Sequence, residues 1–433
     1  MTIAPNLIAP TPGSATGSLS LRAVFAAVIG NALEFYDFSI YSFYAVMIGH
    51  QFFPASTPSA SLLLTLATFG VGFISRPLGS VVLGSYADRV GRKPALILTL
   101  VLMALGMCLL ALTPSYAAIG LAAPVLIVVA RVIQGFALGG EVGPSSSFLL
   151  EAAPEGSRGL YGSWQRASQG ASVLVAGSIG VFLSEILPPG AMASWGWRIP
   201  FLLGALILPV GLYVRRELPE TLVAARSREQ KGVMATLLSR HKRPLVLAML
   251  LTLSTGVSTY VGNYMTTYAL TTLHLNASIS LAATLVLGLV VLIVSPISGR
   301  LGDRFGRKPV LICSRLAYMA LAYPAFLLLN RYPLGGVLLL MVSLLTLFDT
   351  LSIAVGLVLI PESFPKAVRS AGMSTSYAFA LMISGSSTQF LVAWVIQKTG
   401  NPLSPAWFVI VAGLVGLIAM ALSRETQHID IHA

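Results

Sequence analysis

One charged run occurs twice in this chain. Gly84-Ser-Tyr-Ala-Asp88-Arg89-Val-Gly91-Arg92-Lys93-Pro94 returns as Gly299-Arg-Leu-Gly-Asp303-Arg304-Phe-Gly306-Arg307-Lys308-Pro309, 215 positions later in 433 residues. A second pair repeats nearly the same offset: Glu151 with Arg158, and Glu362 with Arg369, 211 positions on. Two unlike signals with one spacing mark a duplicated chain. Both runs sit between long apolar stretches, so the fold must be two copies of one apolar unit with basic loops. That is the sequence pattern of a secondary transporter built from repeats.

The chain is 56% hydrophobic and 10% charged, where soluble domains carry roughly 25% charged residues. It needs a bilayer as solvent. Twelve apolar spans long enough to cross about 30 Å of hydrocarbon are read at about 22–49, 59–86, 94–113, 117–150, 159–186, 198–214, 245–273, 278–299, 309–330, 333–360, 367–397 and 405–422. Lipid offers no partner to an unpaired backbone amide, so each span must be helical. The expected fold is an all-α membrane protein with twelve transmembrane helices in two pseudo-symmetric six-helix bundles. The expected boundaries are a disordered cytoplasmic tail at 1–20, an N-terminal bundle at 21–216 and a cytoplasmic linker at 217–243. A C-terminal bundle at 244–423 and a cytoplasmic tail at 424–433 complete the chain.

The net charge of +12 would fit a nucleic-acid binder if it were spread along one face, but it alternates with the spans. With the N-terminus inside, the inner loops and central linker hold twenty Lys and Arg residues, and the outer loops hold Arg198, Arg331 and Lys398. Positive residues gather on the cytoplasmic side, so both termini are expected there, in a bacterial inner membrane. No nucleic acid is expected as a partner.

Residues 1–20 lack the basic start of a signal peptide. Cys108 and Cys313 stand alone inside spans 3 and 9, without metal-site or disulfide spacing. The five histidines lie near span ends or in tails, which leaves no histidine relay. No phosphate-binding lysine loop, HExxH or GxSxG motif is present, so the chain is not expected to be an enzyme or an ATP-driven pump. No cofactor is expected, and an ion gradient is left as the energy source.

Polar residues at mid-depth carry the remaining information. Asn31, Glu34, Asp37, Phe38 and Tyr41 share a face of the first span at helical spacing. Arg131, Gln134, Leu138, Glu141 and Ser145 form a stripe on the fourth. Gln165, Ser168, Gln169 and Ser172 do so on the fifth, with Arg166 at the stripe's edge. The seventh span carries Tyr260, Asn263, Tyr264 and Thr267, the tenth Asp349 and Ser352, and the eleventh Ser374, Tyr377, Ser384 and Thr388. An ion at the bilayer centre costs about 2.5–3.5 kcal/mol on insertion scales, so these groups face a cavity or one another. The plainer reading makes them paired structural ions. It weighs most for Arg76 beside Pro77 and for Arg315, on a helix position peripheral to a cavity.

The GxxxDRxGRK loop in both halves, with Arg131-Val-Ile-Gln134-Gly135, resembles the major facilitator superfamily. Gly30-Asn31-Ala-Leu-Glu34-Phe-Tyr-Asp37-Phe38, Arg76-Pro77-Leu-Gly79, Gln134-Gly135 to Gly139-Gly140-Glu141 and Trp195-Gly-Trp-Arg198-Ile-Pro200-Phe are similar to its metabolite:proton symporters. Phe52-Phe53-Pro54-Ala55, Ile119-Gly-Leu-Ala-Ala-Pro124 and Gly162-Ser163-Trp164-Gln165 resemble the bacterial citrate and tricarballylate symporters within them. The likeness runs from about residue 20 to 425. It implies the major facilitator fold, a monomer working by alternating access, a small organic anion as substrate and protons as coupling ion. Two departures stand out: Arg166, where a small polar residue is usual, and Asp349, in a tenth-span stretch unlike the family's.

The residues fit that class. A carboxylate that sheds its water is best met by arginine, whose planar fork never deprotonates. Arg131 and Arg166 are the expected substrate ligands, with Asn31, Gln165, Gln169, Tyr260 and Asn263 as neutral partners. Glu34, Asp37 and Glu141 are the expected proton carriers: burial favours the neutral acid and a neighbouring arginine favours the ion, which links proton and substrate. Gly84, Asp88, Arg89, Arg92, Gly299, Asp303, Arg304 and Arg307 form the expected gates. A tricarboxylate (citrate or tricarballylate) is the expected cargo. The alternatives are a dicarboxylate such as 2-oxoglutarate and a zwitterion such as betaine or proline, with a passive channel or a membrane enzyme behind them.

Overall fold

The computed structural model describes residues 21–90, 92–139, 142–151, 153–206, 209 and 230–429. Its elements in chain order are α1 (Leu21–Phe43), α2 (Ala45–Phe52), α3 (Pro58–Ile74), α4 (Arg76–Val90), α5 (Arg92–Leu112), α6 (Tyr116–Ile119), α7 (Ala122–Ala137), α8 (Val142–Glu151), α9 (Arg158–Ile186), α10 (Pro189–Ser194) and α11 (Ile199–Ala205). The second half continues with α12 (Gln230–Arg240), α13 (Lys242–Thr271), α14 (Ala277–Phe305), α15 (Arg307–Arg331), α16 (Gly335–Glu362), α17 (Arg369–Thr399) and α18 (Ser404–Leu422). Among the described residues all regular structure is helical.

Among the described residues eight helices are long and apolar enough to cross a bilayer: Pro58–Leu83, which joins α3 to α4, then α9 and α13 to α18. The other four expected spans are present in pieces. The first is broken at Tyr44 between α1 and α2. The third is α5, with its apolar part at Ile97–Leu112. The fourth is split into α6, α7 and α8, with Gly120 at φ +58 closing α6. Only the first part of the sixth, α11, lies within the described residues. The α3–α4 junction has a local cause, because Pro77 offers no amide hydrogen to the preceding turn. At the other repeat, Gly306 takes φ +94, a conformation that favours glycine, and turns the chain directly from α14 into α15.

The two halves meet along matching helix pairs. α9 lies against α14 over its length, and α3 against α17. Small residues let the backbones approach, as in other membrane helix contacts. A methyl group at Gly177 would stand 2.6 Å from the Leu285 backbone nitrogen, and one at Gly299 would stand 2.8 Å from Ser163 Oγ. On the basic face this seam ends where Gly159 abuts Gly299. On the opposite face it ends with the Ser278 hydroxyl donating to the Glu185 carboxylate. The halves are therefore in contact at both ends.

Candidate functional site

The N-terminal half holds a buried ion pair. Asp37 from α1 and Arg131 from α7 are both fully buried, with Arg131 Nη1 donating to Asp37 Oδ2 at 3.2 Å. Gln134, one turn after Arg131, completes a triangle: it accepts from Nη1 at 2.7 Å and donates to Asp37 Oδ1 at 2.7 Å. The i, i+3 spacing on α7 makes that possible. The guanidinium carbon of Arg131 also lies 4.7 Å from the Phe38 ring centre and 4.6 Å from that of Tyr41. Arg76 lies 4.5 Å from the ring centres of both Phe38 and Phe73. Aromatic faces thus share the stabilisation of two buried cations.

A polar chain leads from α1 to the seam. Asn31 Nδ2 donates to the Gln165 carbonyl at 2.9 Å and to Ser168 Oγ at 2.8 Å. Gln169 Nε2 donates to Asn31 Oδ1 at 3.4 Å, and Gln169 Oε1 accepts from Arg166 Nη1 at 2.8 Å. Asn31 therefore acts behind Arg166, through Gln169. Arg166 is 6% exposed and its Nε has no hydrogen-bond partner.

Arg166 and Gln169 stand on the walls of two small central cavities. One, of about 40 Å³, is also lined by Ser258 and Asn263 of α13, Tyr318 of α15 and Asp349 of α16. The other, of about 30 Å³, is lined by Thr255 and Tyr260 of α13 and by Tyr377 of α17. At about 10–15 Å³ per water centre, the first has room for about three or four waters and the second for about two or three. The halves are closed over a polar centre that has one wall from each bundle.

The expected second-half gate centres on Asp303 at the basic face. Its carboxylate accepts from Gly159 N at 2.7 Å and Leu160 N at 2.9 Å, the first amides of α9, so a side chain of one half caps a helix of the other. The helix N-terminus favours such a negative group. Arg307 donates to Asp303 at 2.7 Å and grips Glu362 through two nitrogens, at 3.1 and 3.2 Å. Arg369 pairs with Glu151 across the halves at 2.9 Å. The segment after α18 straps these groups together. The Glu425 carboxylate accepts from Arg307 N at 2.9 Å and Lys308 N at 2.8 Å, Thr426 donates to Glu362 at 2.6 Å, and Gln427 donates to the Asp303 carbonyl. Arg158 of the first half reaches the Ile429 carbonyl at 2.7 Å. Partial burial pushes the Glu425 carboxyl upward, but its amide partners at Lys308, Arg307, Gln427 and Thr426 outweigh that and hold it below the usual range.

Of the residues singled out by sequence, the structure brings Arg166, Gln169, Tyr260 and Asn263 to the cavities. Arg131, Asp37, Asn31 and Gln165 are buried but line neither cavity; Gln165 donates to Ser145 at 3.4 Å. Gly299, Asp303 and Arg307 meet at the gate, while Arg304 faces outward over Phe305, 5.2 Å from its ring centre. Glu141 lies outside the described residues, as do the side chains of Glu34, Asp88, Arg89 and Arg92; Gly84 is placed only as a position on α4. Sequence reasoning left Asp349 and Arg315 out of the site. Arg315 is fully buried and paired to Asp349 at 3.4 Å. The signal was the departure at Asp349, a carboxylate in mid-span that needs a cation within reach. Among the described residues no three His, Cys, Asp or Glu side chains are grouped to hold a metal.

The sequence profile of a family described as sugar (and other) transporter matches residues 23–231 and 216–432. A citrate-proton symporter of Klebsiella pneumoniae is 40% identical over 73% of this chain and 72% of its own length. A proline/betaine transporter of Salmonella typhimurium is 33% identical over 80% of this chain and 72% of its own. The crystal structure of a D-xylose-proton symporter superposes with a TM-score of 0.76 at 19% identity, covering 94% of this chain and 98% of that one.

Proposed function

Because the chain belongs to the sugar (and other) transporter family of the major facilitator superfamily, we propose that it imports a small organic anion together with protons. The cargo we assign is a tricarboxylate of the citrate or tricarballylate type, carried by alternating access. One observation carries the anion: a buried arginine, Arg166, stands on the wall of both central cavities with a guanidinium nitrogen unbonded. A desolvated carboxylate is the group that would complete it. Gln169 fixes the guanidinium, Asn31 fixes Gln169, and Tyr260 and Asn263 supply neutral hydrogen-bonding groups from the other half.

The cavities are too small for such an anion in the closed molecule, so loading requires the seam to part. The contacts of Asp303 with the start of α9, of Arg369 with Glu151 and of Arg158 with the Ile429 carbonyl are the ones that must break on the basic face, which we place in the cytoplasm with both termini. Proton coupling is assigned to Asp37, held by Arg131, with Glu34 and Glu141 as further carriers. A proton on Asp37 would weaken its hold on Arg131 and Gln134 and so loosen α1 from α7. The likeness to the citrate-proton symporter supports both the anion and the proton.

A zwitterionic osmolyte is the second reading, favoured by the rings of Phe69, Phe73 and Tyr260, which meet beside the cavity. Aromatic walls suit quaternary amines, but Arg76 already lies over Phe73. Uptake of labelled citrate, tricarballylate, 2-oxoglutarate, betaine and proline into proteoliposomes with an imposed pH gradient separates the readings. Accumulation of a carboxylate that persists after a protonophore collapses the pH gradient, at controlled membrane potential, would eliminate the proton from the mechanism.

A further inference from the structure

We propose that Asp349 is a resident stand-in for one carboxylate of the substrate. In the closed molecule it fills an anion seat beside Arg315 and Arg166, and on taking a proton it yields that seat to the incoming anion. The inference rests on the organic-anion reading above. It deepens that reading by making Arg315 a second arginine of the seat and Asp349 the residue that ties affinity to pH.

The geometry distinguishes this pair from Arg307–Glu362, and the place of Asp349 on the cavity wall distinguishes it from Asp37–Arg131, where Arg131 Nε and Nη2 are likewise without a hydrogen-bond partner but neither residue lines the cavity. Arg307 at the gate uses its fork fully, with two nitrogens on Glu362 and a third contact to Asp303. Arg315 is fully buried but touches Asp349 through Nη1 alone, at 3.4 Å, while the same nitrogen donates to Ser258 Oγ at 2.6 Å. Its Nε and Nη2 have no hydrogen-bond partner. A buried guanidinium left two-thirds unsatisfied is costly if it is only structural. It is what a seat needs if another bidentate anion is to arrive.

Asp349 also lines the cavity that Arg166 lines, and the two lie within electrostatic reach of each other. The groups facing Asp349 are Arg315 and Tyr318 from α15 and Arg166 from α9, with neutral Ser258 from α13. Two buried cations therefore share one carboxylate. A substrate carboxylate entering unaided would place a second negative charge beside the first at close range, which like-charge repulsion opposes. If Asp349 first takes a proton from the outer water, its carboxylate becomes a neutral acid and the substrate carboxylate replaces it. The charge beside the arginines is then unchanged. On the inner side the acid returns its proton to water, and the restored carboxylate displaces the substrate. One proton moves with one carboxylate.

The test is substrate binding against pH on purified wild type, Asp349→Asn and Asp349→Glu, with citrate, tricarballylate and 2-oxoglutarate as probes. Calorimetry in two buffers gives both affinity and the protons taken up on binding. Above the pH at which Asp349 gives up its proton in the empty transporter, the wild type should weaken by about one decade per pH unit. The ligand's own titration is common to all variants and cancels between them. Asp349→Asn should lose that slope and the associated proton, and should bind at high pH as tightly as wild type does at low pH. Asp349→Glu should restore the slope. If Asp349→Asn does not fold, because Arg315 is left unpaired, Asp349→Asn with Arg315→Gln removes both charges and is read by the same slope. A purely structural pair would change stability and leave slope and proton count as in wild type, and that result overturns the proposal. Wild type that binds and accumulates none of the probes overturns the organic-anion reading and this inference together. Wild-type transport with an unaltered Asp349→Asn profile overturns the inference alone.

Discussion

Asp303→Asn should open the basic face without touching the substrate cavity. The carboxylate takes two amide hydrogens at the start of α9 and one from Arg307. Hydrogen bonds to charged groups are worth about 1.5–3 kcal/mol each. Asparagine keeps one acceptor oxygen for one amide, but it loses the charge that the α9 terminus and Arg307 both favour, and its NH₂ faces a second amide hydrogen it cannot satisfy. The side chain is 12% exposed, so solvent screening discounts this only modestly. A net loss of about 2 kcal/mol from the closed state corresponds to about a 30-fold change in the closed-to-open ratio. Spin labels at Glu155 and Phe305, one on each half at this face, report it by double electron–electron resonance, with Cys108 and Cys313 first replaced by serine. Wild type should give a dominant short distance, and Asp303→Asn should add a longer population, with citrate binding on the same protein no weaker and up to about 30-fold tighter, because the open state is the one that loads. A folded Asp303→Asn protein with the wild-type distance distribution would refute the assignment of Asp303 as an interhalf latch.

Three further outcomes are expected. Arg166→Ala should weaken tricarboxylate binding by about 2–5 kcal/mol, the range for removing one member of a buried charge pair, and wild-type affinity by calorimetry would remove Arg166 from the site. Glu34→Gln and Asp37→Asn should keep substrate counterflow but lose uphill, pH-driven uptake, and whichever variant still concentrates substrate is excluded as the coupling carboxylate. Glu425→Gln should lower the melting temperature at neutral pH. Because the folded carboxyl is held below the usual 4.5, its contribution is present above that value and disappears as the pH falls through the depressed one. Melting curves of Glu425→Gln and wild type should therefore converge in acid, and a difference that grows with acidity would reverse the assigned sign.

The duplication and the spans were legible because each depends on a local pattern. Apolar length and repeated loops fix helices whatever surrounds them, and the second-half ends fell within a few residues of expectation, except where α14 runs on to Phe305. The breaks at Tyr44 and before Gly139 were not legible, since both segments read as continuous apolar runs. Site membership was harder for a different reason. Helical spacing puts Asn31 and Arg131 on polar faces, but it cannot tell a face turned to the cavity from one turned to a neighbouring helix. The structure puts Arg131 inside its own bundle with Gln134 and Asp37, and turns Asn31 toward α9. Arg315 was read as a paired ion peripheral to the cavity, but its partner could not be named from helix position, because Asp349 is 34 positions away.

The same two buried arrangements explain why the closed state can be both stable and temporary. Asp37–Arg131 ties α1 to α7 within one half, and Asp349–Arg315 ties α16 to α15 within the other. Neither bridges the seam, so changing their charge alters each bundle's wall without breaking the halves apart. Of the bonds that do bridge it, Ser278 to Glu185 lies at the opposite face and Ser42 to Gln389 between α1 and α17, while Asp303 to α9 and Arg369 to Glu151 lie at the basic face. A proton or an anion at the centre can reach those bonds through the helices it loosens, since α9 carries Arg166 in its second turn beyond the Gly159 and Leu160 amides capped by Asp303. Moving the Arg166 guanidinium by engaging substrate therefore loads the same helix end that the gate holds. On this reasoning coupling requires α9 to move as one rigid piece. Weakening the helix in register, by Tyr161→Gly with Trp164→Gly, should leave the gate bonds and substrate binding in place, yet abolish the change in label distance that substrate produces in the otherwise unaltered protein. Retention of that substrate-driven change would show that the signal runs through another helix.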